Sequence, residues 1–271
     1  MAITQAVSNT ILLDRRAARV KRFANLRPKN VTSVSRIPES IALAEKNTLW
    51  ISYEQSLTNG LLKALDWPPR QLGRIVLVHR LLPEGIPVLR NCFDRVAYRF
   101  DGAFLPPEEL SEVLAADNGE DLILGGTIDK TSRTITLWKG NLDSVTVPFA
   151  AFRPSGDGIR PDFSSFAVTD YGQTLVLGEY QAATDAVLYE LDPQYRRRIA
   201  KRRRATEKTF GASLRRLRKQ RGLLREDFPP LSPKTLARIE QGKVEPERLR
   251  RRTLDAICNA LCVSVEEIGA Y

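Results

Sequence analysis

The last sixty residues constrain the fold most, because short apolar stripes alternate there with helix start and stop signals. The first stripe consists of Phe210, Leu214 and Leu217, which recur at the spacing of one helix face, while basic residues fill the other faces. The Ser–Pro pair at 232–233 is typical of a helix start, and Gly242 is typical of a helix end. We therefore predict an all-α domain over residues 210–271.

The charge of the chain is divided unevenly along its length. The net charge is +10, and residues 195–271 carry 21 Lys and Arg against 9 Asp and Glu. Residues 1–40 carry 8 basic against 2 acidic residues, whereas residues 41–194 carry 13 against 21. Positive charge concentrated at one end is typical of a protein that meets a polyanion, although a solvated basic face is the plainer alternative.

Composition excludes several classes of protein. A chain of 271 residues accommodates two domains. It contains no apolar run of the roughly 18 residues that a membrane span needs, and its N-terminus lacks the continuous apolar stretch of a secretory signal. Three cysteines fit a reducing compartment better than a disulfide framework. We expect a cytoplasmic protein with no membrane partner.

The rest of the chain divides into three segments. Residues 1–37 are basic without sustained periodicity and are predicted to form a loosely ordered arm. Residues 38–192 alternate helical spacing with runs rich in Val, Ile, Thr and aromatics, which predicts an α+β domain with largely antiparallel strands. Residues 193–209 predict a basic linker helix, which either is solvated or adds phosphate contacts.

Catalytic and metal-binding patterns are not found. The single histidine, His79, lies in the apolar run RIVLVH, where a structural role is the expected one. The sequence contains no P-loop, G-x-G-x-x-G or H-E-x-x-H motif. Cys258 and Cys262 have no neighbouring histidine to complete a zinc site, and the aspartates within residues 157–170 follow no calcium-loop spacing. We expect neither enzymatic activity nor a metal or cofactor.

The C-terminal segment resembles the lambda-repressor-like, Cro-type helix-turn-helix family. The matching stretches are LRRLRKQRG, LSPKTLARIEQGK and TLDAICNALCVSVEEI, which together cover about sixty residues. The resemblance implies a helical domain whose third helix, Pro233–Gln241, enters the major groove of double-stranded DNA.

The resemblance also assigns roles to individual residues. Pro233, Lys234 and Arg238 occupy base-facing positions, and lysine and arginine suit the O6 and N7 atoms of guanine. Positions that hold the phosphate backbone are occupied by Arg225, Gln241, Lys243 and Arg248. Glu240 matches a structural position, and we expect it to form an ion pair with Arg218 that clamps the third helix.

Two features depart from the family pattern. The second helix is about three residues shorter than usual, and Pro229–Pro230 stand where its last turn should be. Cys262 stands where the family has a helix-ending glycine. A non-glycine residue in the left-handed conformation costs roughly 1 kcal/mol, so we expect this cap to differ.

A second resemblance concerns residues 131–192, which are similar to a bacterial domain of unknown function, number 2442. The shared features are a strand, a turn, a short polar-to-apolar segment, and a strand pair that ends in a helix containing LYE. This resemblance implies a fold and no activity.

These observations together predict a bacterial or phage-type transcriptional regulator. A homodimeric repressor would read two half-sites about 34 Å apart, while the middle domain senses a protein or small-molecule partner, dimerises, or both. One alternative is an antitoxin-like protein-interaction module whose DNA binding is autoregulatory. The other is an enzyme that acts on nucleic acid and uses the helical domain for targeting.

Overall fold

A five-stranded parallel sheet forms the first part of the chain. Its strand order is β2-β1-β3-β4-β5, and every neighbouring pair is parallel. The strands are β1 (Thr10–Leu13), β2 (Lys29–Val31), β3 (Leu49–Ser52), β4 (Arg74–Arg80) and β5 (Arg95–Arg99). This doubly wound order places helices on both faces of the sheet. The computed structural model that shows it describes residues 9–65, 69–80, 84–206 and 209–270.

Helices follow strands β1 to β4, and one more helix comes later in the unit. They are α1 (Ala17–Val20), which continues into the 3₁₀ helix Lys21–Leu26, then α2 (Ile37–Leu43), α3 (Gln55–Ala64), α4 (Gly85–Cys92) and α5 (Pro107–Ala115). Apolar residues of α2, α3 and α4 pack on the sheet face that carries Ile11, Leu13 and Trp50. The 3₁₀ helix is joined to α5, where the Ser111 hydroxyl donates to the Arg22 carbonyl at 2.8 Å.

The predicted loose arm is wrong for the part of residues 1–37 that the structure describes. Strand β1 lies inside the parallel sheet between β2 and β3, and its four residues are buried. A parallel strand covered on both faces reads as a short continuous apolar run, here TILL, and gives no alternating pattern. Residues 1–8 of that segment lie outside the described residues.

The predicted antiparallel strands occupy the later part of the same unit. The four-stranded sheet contains β6 (Gly102–Phe104), β7 (Ile123–Asp129), β8 (Thr134–Lys139) and β9 (Ser144–Pro148), and the three-stranded sheet contains β10 (Phe166–Thr169), β11 (Thr174–Leu177) and β12 (Tyr180–Ala183). All pairings in both sheets are antiparallel. The expectation of antiparallel strands within residues 38–192 is therefore correct for β6–β12 and wrong for β3–β5.

The chain divides into an N-terminal unit, Met1–Pro193, and a C-terminal unit, Gln194–Tyr271. The N-terminal unit ends with α6 (Thr184–Leu191), after which Asp192 forms a buried ion pair with Lys139 of β8 at 3.0 Å. This pair fixes the end of the unit to its four-stranded sheet. Among the described residues, no helix is long and apolar enough to cross a membrane.

The C-terminal unit is helical, which confirms the predicted fold class of an α+β unit followed by an all-α one. Its helices are α7 (Pro193–Thr206, which begins one residue before the boundary), α8 (Phe210–Gln220), α9 (Pro233–Glu240), α10 (Arg251–Leu261) and α11 (Val265–Ala270). Leu214, Phe228, Ile239 and Ile257 belong to its apolar core. The helix predicted for residues 193–209 is present as α7, and residues 207–208 lie outside the described part of the chain.

Replacing Leu13 by alanine tests whether β1 belongs to the core. Leu13 is fully buried in the core cluster, so its truncation is expected to lower the free energy of unfolding by about 2–5 kcal/mol. The same change at Leu43 of α2, which is 53% exposed, should lower it by less than about 0.5 kcal/mol. Urea unfolding followed by tryptophan fluorescence measures both, since Trp50 and Trp138 belong to the N-terminal unit and residues 194–271 contain no tryptophan. Equal, small effects would contradict the placement of β1.

Candidate nucleic-acid interface

Helix α9 is set by signals at both of its ends and by one apolar face. The Ser232 side chain accepts a hydrogen bond from the Thr235 amide at 3.1 Å, so Ser232 caps the helix and Pro233 begins it. Leu236 and Ile239 are buried in the core. The helix is therefore held from one side, and its opposite side is exposed.

The three residues expected to face DNA bases lie on the exposed side of α9. Pro233, Lys234 and Arg238 are all exposed, and Lys234 and Arg238 are one helical turn apart, so their side chains share a face. The structure thus brings these residues together on one surface. Their contacts with bases remain predictions.

The four residues expected to contact phosphate fall into two groups. Gln241 caps the C-terminal end of α9, and Lys243 lies two residues further along the chain. Arg248 ends the 3₁₀ turn Pro246–Arg248, and all three residues are exposed. Arg225 differs, because it lies in the 3₁₀ turn Arg225–Asp227 and its side chain is 37% exposed. Its guanidinium is bound to a carboxylate of the same unit.

That carboxylate belongs to Glu240, at the end of α9. Arg218 of α8 donates from Nε to Oε1 of Glu240 at 2.5 Å, so the two residues of the expected ion pair are in contact. Arg225 donates to Oε2 from Nε at 3.0 Å and from Nη2 at 2.8 Å. The Glu240 side chain is 1% exposed and that of Arg218 is 9% exposed. One buried carboxylate therefore joins α8, the short second turn and α9.

Sequence reasoning missed the bond between Arg225 and Glu240. The resemblance assigned Arg225 to a phosphate, and nothing in a spacing of 15 residues indicates a contact. The shortened second element is the signal that could have drawn attention to it, because a single turn offers few backbone bonds and depends on its side chains for attachment.

The second helix of the motif is reduced to the 3₁₀ turn Arg225–Asp227. The Asp227 carboxylate accepts a hydrogen bond from the Leu224 amide at 2.7 Å, which caps this turn. Phe228 is fully buried directly after it, and Pro229 and Pro230 are exposed. The predicted shortening is confirmed, and Phe228 anchors the connection to α9 in the core.

The predicted change of cap at Cys262 is wrong. Cys262 adopts the left-handed conformation, with φ 48° and ψ 46°, as a glycine would. The Val263 amide donates to the Cys258 carbonyl at 3.2 Å, a bond typical of this type of helix end. The cap bonds thus offset the strain of a side chain in this region, which is about 1 kcal/mol.

The single histidine, His79, is engaged in local bonds. His79 Nδ1 donates to the Arg80 carbonyl at 2.9 Å, which leaves Nε2 to accept from the Thr58 hydroxyl at 2.7 Å. Burial lowers the pKa of His79, which favours this neutral, bonded form. Within the part of the chain that the structure describes, no group of three histidine, cysteine or acidic side chains is placed to hold a metal ion.

Glu240→Gln is expected to destabilise the C-terminal unit by about 3–5 kcal/mol. The change removes the charge that compensates Arg218 in a buried position, and breaking a buried pair in this way is costly. Hydrogen exchange of backbone amides in α8 and α9 measures the effect. Glu247→Gln, at an exposed position, is the matched control and should leave exchange unchanged. Equal exchange in both variants would show that the carboxylate does not clamp α9.

Cys262→Gly is expected to raise the free energy of unfolding by roughly 1 kcal/mol, because glycine adopts the left-handed conformation without strain. Cys262→Ala keeps a Cβ atom at the same φ and should give no gain. Urea unfolding followed by far-ultraviolet circular dichroism compares the two variants. A gain with alanine as large as with glycine would rule out relief of backbone strain.

The C-terminal residues match the model of one protein family. Residues 230–271, which include α9, α10 and α11, match the model of the Cro/C1-type HTH DNA-binding domain. No curated protein and no solved structure shows significant similarity to the chain. The resemblance of residues 131–192 to domain of unknown function 2442 gains no support. The match confirms the resemblance to the Cro/C1-type helix-turn-helix DNA-binding domain for residues 230–271, and it supports a DNA-binding regulator in general.

Proposed function

We propose that the protein is a sequence-specific transcriptional regulator that inserts α9 into the major groove of duplex DNA. The observation that supports this most is the position of Lys234 and Arg238, exposed on one face of a helix whose other face is buried. The Cro/C1-type match covers this helix. The proposal includes no catalytic step.

Base recognition in this proposal depends on the guanine edge. Lys234 and Arg238 donate hydrogen bonds to O6 and N7 of guanine, and a good contact of this kind discriminates between bases by about 1–3 kcal/mol. Pro233 fixes the first turn of the helix and contributes an apolar contact. The recognised site is accordingly expected to contain G·C pairs.

Phosphate contacts set the orientation of the domain on the duplex. Gln241, Lys243 and Arg248 surround the C-terminal end of α9 and are exposed, which suits contacts with the DNA backbone. Residues 195–271 hold the excess of basic over acidic side chains. Helix α7 either adds to these contacts or remains solvated, and the salt dependence of binding distinguishes the two.

The N-terminal unit is assigned the sensing or assembling role. In doubly wound sheets, ligands bind outside the carboxyl ends of the strands where the strand order reverses, which here is next to β1 and β3.

We propose a bacterial repressor that acts as a homodimer on two half-sites about 34 Å apart. A cytoplasmic location is part of this proposal and rests on three cysteines that are free thiols.

Selection of genomic DNA fragments by the purified full chain tests the function. The wild type is expected to enrich a discrete, palindromic site, because a symmetric dimer reads symmetric half-sites. Lys234→Ala/Arg238→Ala should retain only nonspecific binding and lose at least about 10-fold in affinity for that site, given the energy of two base contacts.

The control is Lys46→Ala/Arg90→Ala, two exposed positions of the N-terminal unit that remove the same charge. It should enrich the same site as the wild type. Enrichment of no sequence by the wild type, or of the same site by the Lys234→Ala/Arg238→Ala variant, would contradict α9 as the reading helix.

A further inference from the structure

Basic residues are concentrated in the segment that follows strand β1. Residues 14–22 (DRRAARVKR) contain five Lys and Arg against one acidic residue, whereas residues 41–194 carry more acidic than basic residues. The segment leaves the carboxyl end of β1 and runs through α1 into the 3₁₀ helix Lys21–Leu26. Strands β2 and β4 lie on opposite sides of the β1–β3 pair. The segment therefore lies at the point of a doubly wound sheet where ligands bind.

An ion pair fixes one of these basic side chains beside the end of β3. The Asp14 side chain is 0% exposed, and its carboxylate accepts hydrogen bonds from the Arg16 amide and from Nη1 of Arg19, both at 2.9 Å. The guanidinium carbon of Arg19 lies 4.1 Å from the centre of the Tyr53 ring. Tyr53 directly follows β3. Asp14 therefore holds a cation and a phenol side by side at the carboxyl ends of β1 and β3.

The Tyr53 hydroxyl is buried and has no hydrogen-bond partner among the residues that the structure describes. Buried hydroxyl groups nearly always have a partner, so a water or a ligand is expected to supply one. Burial raises the pKa of Tyr53, which keeps the hydroxyl protonated and able to donate. Arg19 beside it and the exposed Arg15 and Arg16 favour an anion as the acceptor.

We propose that the N-terminal unit binds a small molecule that carries a phosphate group at this point of the sheet. Tyr53 donates to a phosphate oxygen, Arg19 lies beside it, and the arginines at residues 15–16 balance the remaining charge. Arg22 takes no part, because its guanidinium already binds the Glu108 carboxylate of α5 at 2.6 Å. This inference rests on the sensing role proposed for the N-terminal unit, and it names the chemistry of the ligand.

Isothermal titration calorimetry of the full chain with inorganic phosphate, pyrophosphate and adenosine monophosphate tests the site. We expect saturable binding of at least one of the three compounds. Tyr53→Phe should weaken that binding about 10-fold, because a hydrogen bond to a charged group is lost. The same change should leave the thermal unfolding midpoint unchanged or higher, because the hydroxyl that it removes has no partner in the free protein. Tyr171→Phe, at an exposed position of the same unit, is the control and should bind as the wild type does.

A second pair of variants tests the charge. Arg15→Ala/Arg16→Ala removes two exposed cations from the site, and we expect it to weaken binding by at least about 10-fold. Lys46→Ala/Arg90→Ala removes the same charge from other exposed positions of the unit. It should keep the wild-type affinity, and an equal loss in both variants would show that only the net charge of the unit matters.

The outcomes distinguish this inference from the proposed function. Failure of the wild type to bind any of the three compounds would overturn the inference, while selection of a DNA site by α9 would still support the regulator. Full affinity in Tyr53→Phe would show that the hydroxyl bonds to a water and would overturn its contact with phosphate. Displacement of the bound compound by a duplex of about 20 base pairs would assign the basic segment to the DNA backbone and overturn a small-molecule site. Phosphate binding by a protein that selects no DNA sequence would contradict the proposed function and support this site.

Discussion

The carboxylate of Glu240 is the interaction on which the DNA-binding unit depends. It is buried, and it accepts bonds from Arg218 of α8 and Arg225 of the short second turn. A single charge at the end of α9 thus sets the position of the helix relative to both elements that precede it. Buried charges are tolerated when they are paired and hydrogen-bonded, and here two guanidinium groups share the carboxylate. These ion pairs therefore also set the orientation of the exposed face of α9, which carries Lys234 and Arg238.

The N-terminal unit is stabilised mainly by apolar packing. Its parallel sheet is buried on both faces, so its stability comes from apolar packing between distant segments. One apolar cluster includes Ile11 of β1, Leu61 of α3 and Leu89 of α4. The ion pair between Lys139 and Asp192 then fixes the end of the unit. The excess of basic over acidic residues, in contrast, is largest in the C-terminal unit.

The sequence predicted well what local signals determine. Ser232, Pro233 and the apolar spacing of Leu236 and Ile239 define α9 without reference to the rest of the chain, and the exposed positions of Lys234 and Arg238 follow from the same periodicity. Contacts between residues that are far apart in the sequence were not predicted. Strand β1 is a run of only four residues, and it forms a strand because it pairs with β2 and β3. The bond from Arg225 to Glu240 depends on how the shortened turn packs. The left-handed Cys262 was missed because cap bonds outweigh a conformational preference of about 1 kcal/mol.

Methylation interference on a selected duplex tests most directly whether α9 reads DNA in the major groove. Methylation of guanine N7 blocks the acceptor that Lys234 and Arg238 are proposed to contact. We expect methylation at a few guanines to abolish wild-type binding, and we expect the residual binding of Lys234→Ala/Arg238→Ala to be insensitive to methylation at the same guanines. Binding that is indifferent to guanine methylation in the wild type, or equal interference in both proteins, would contradict it.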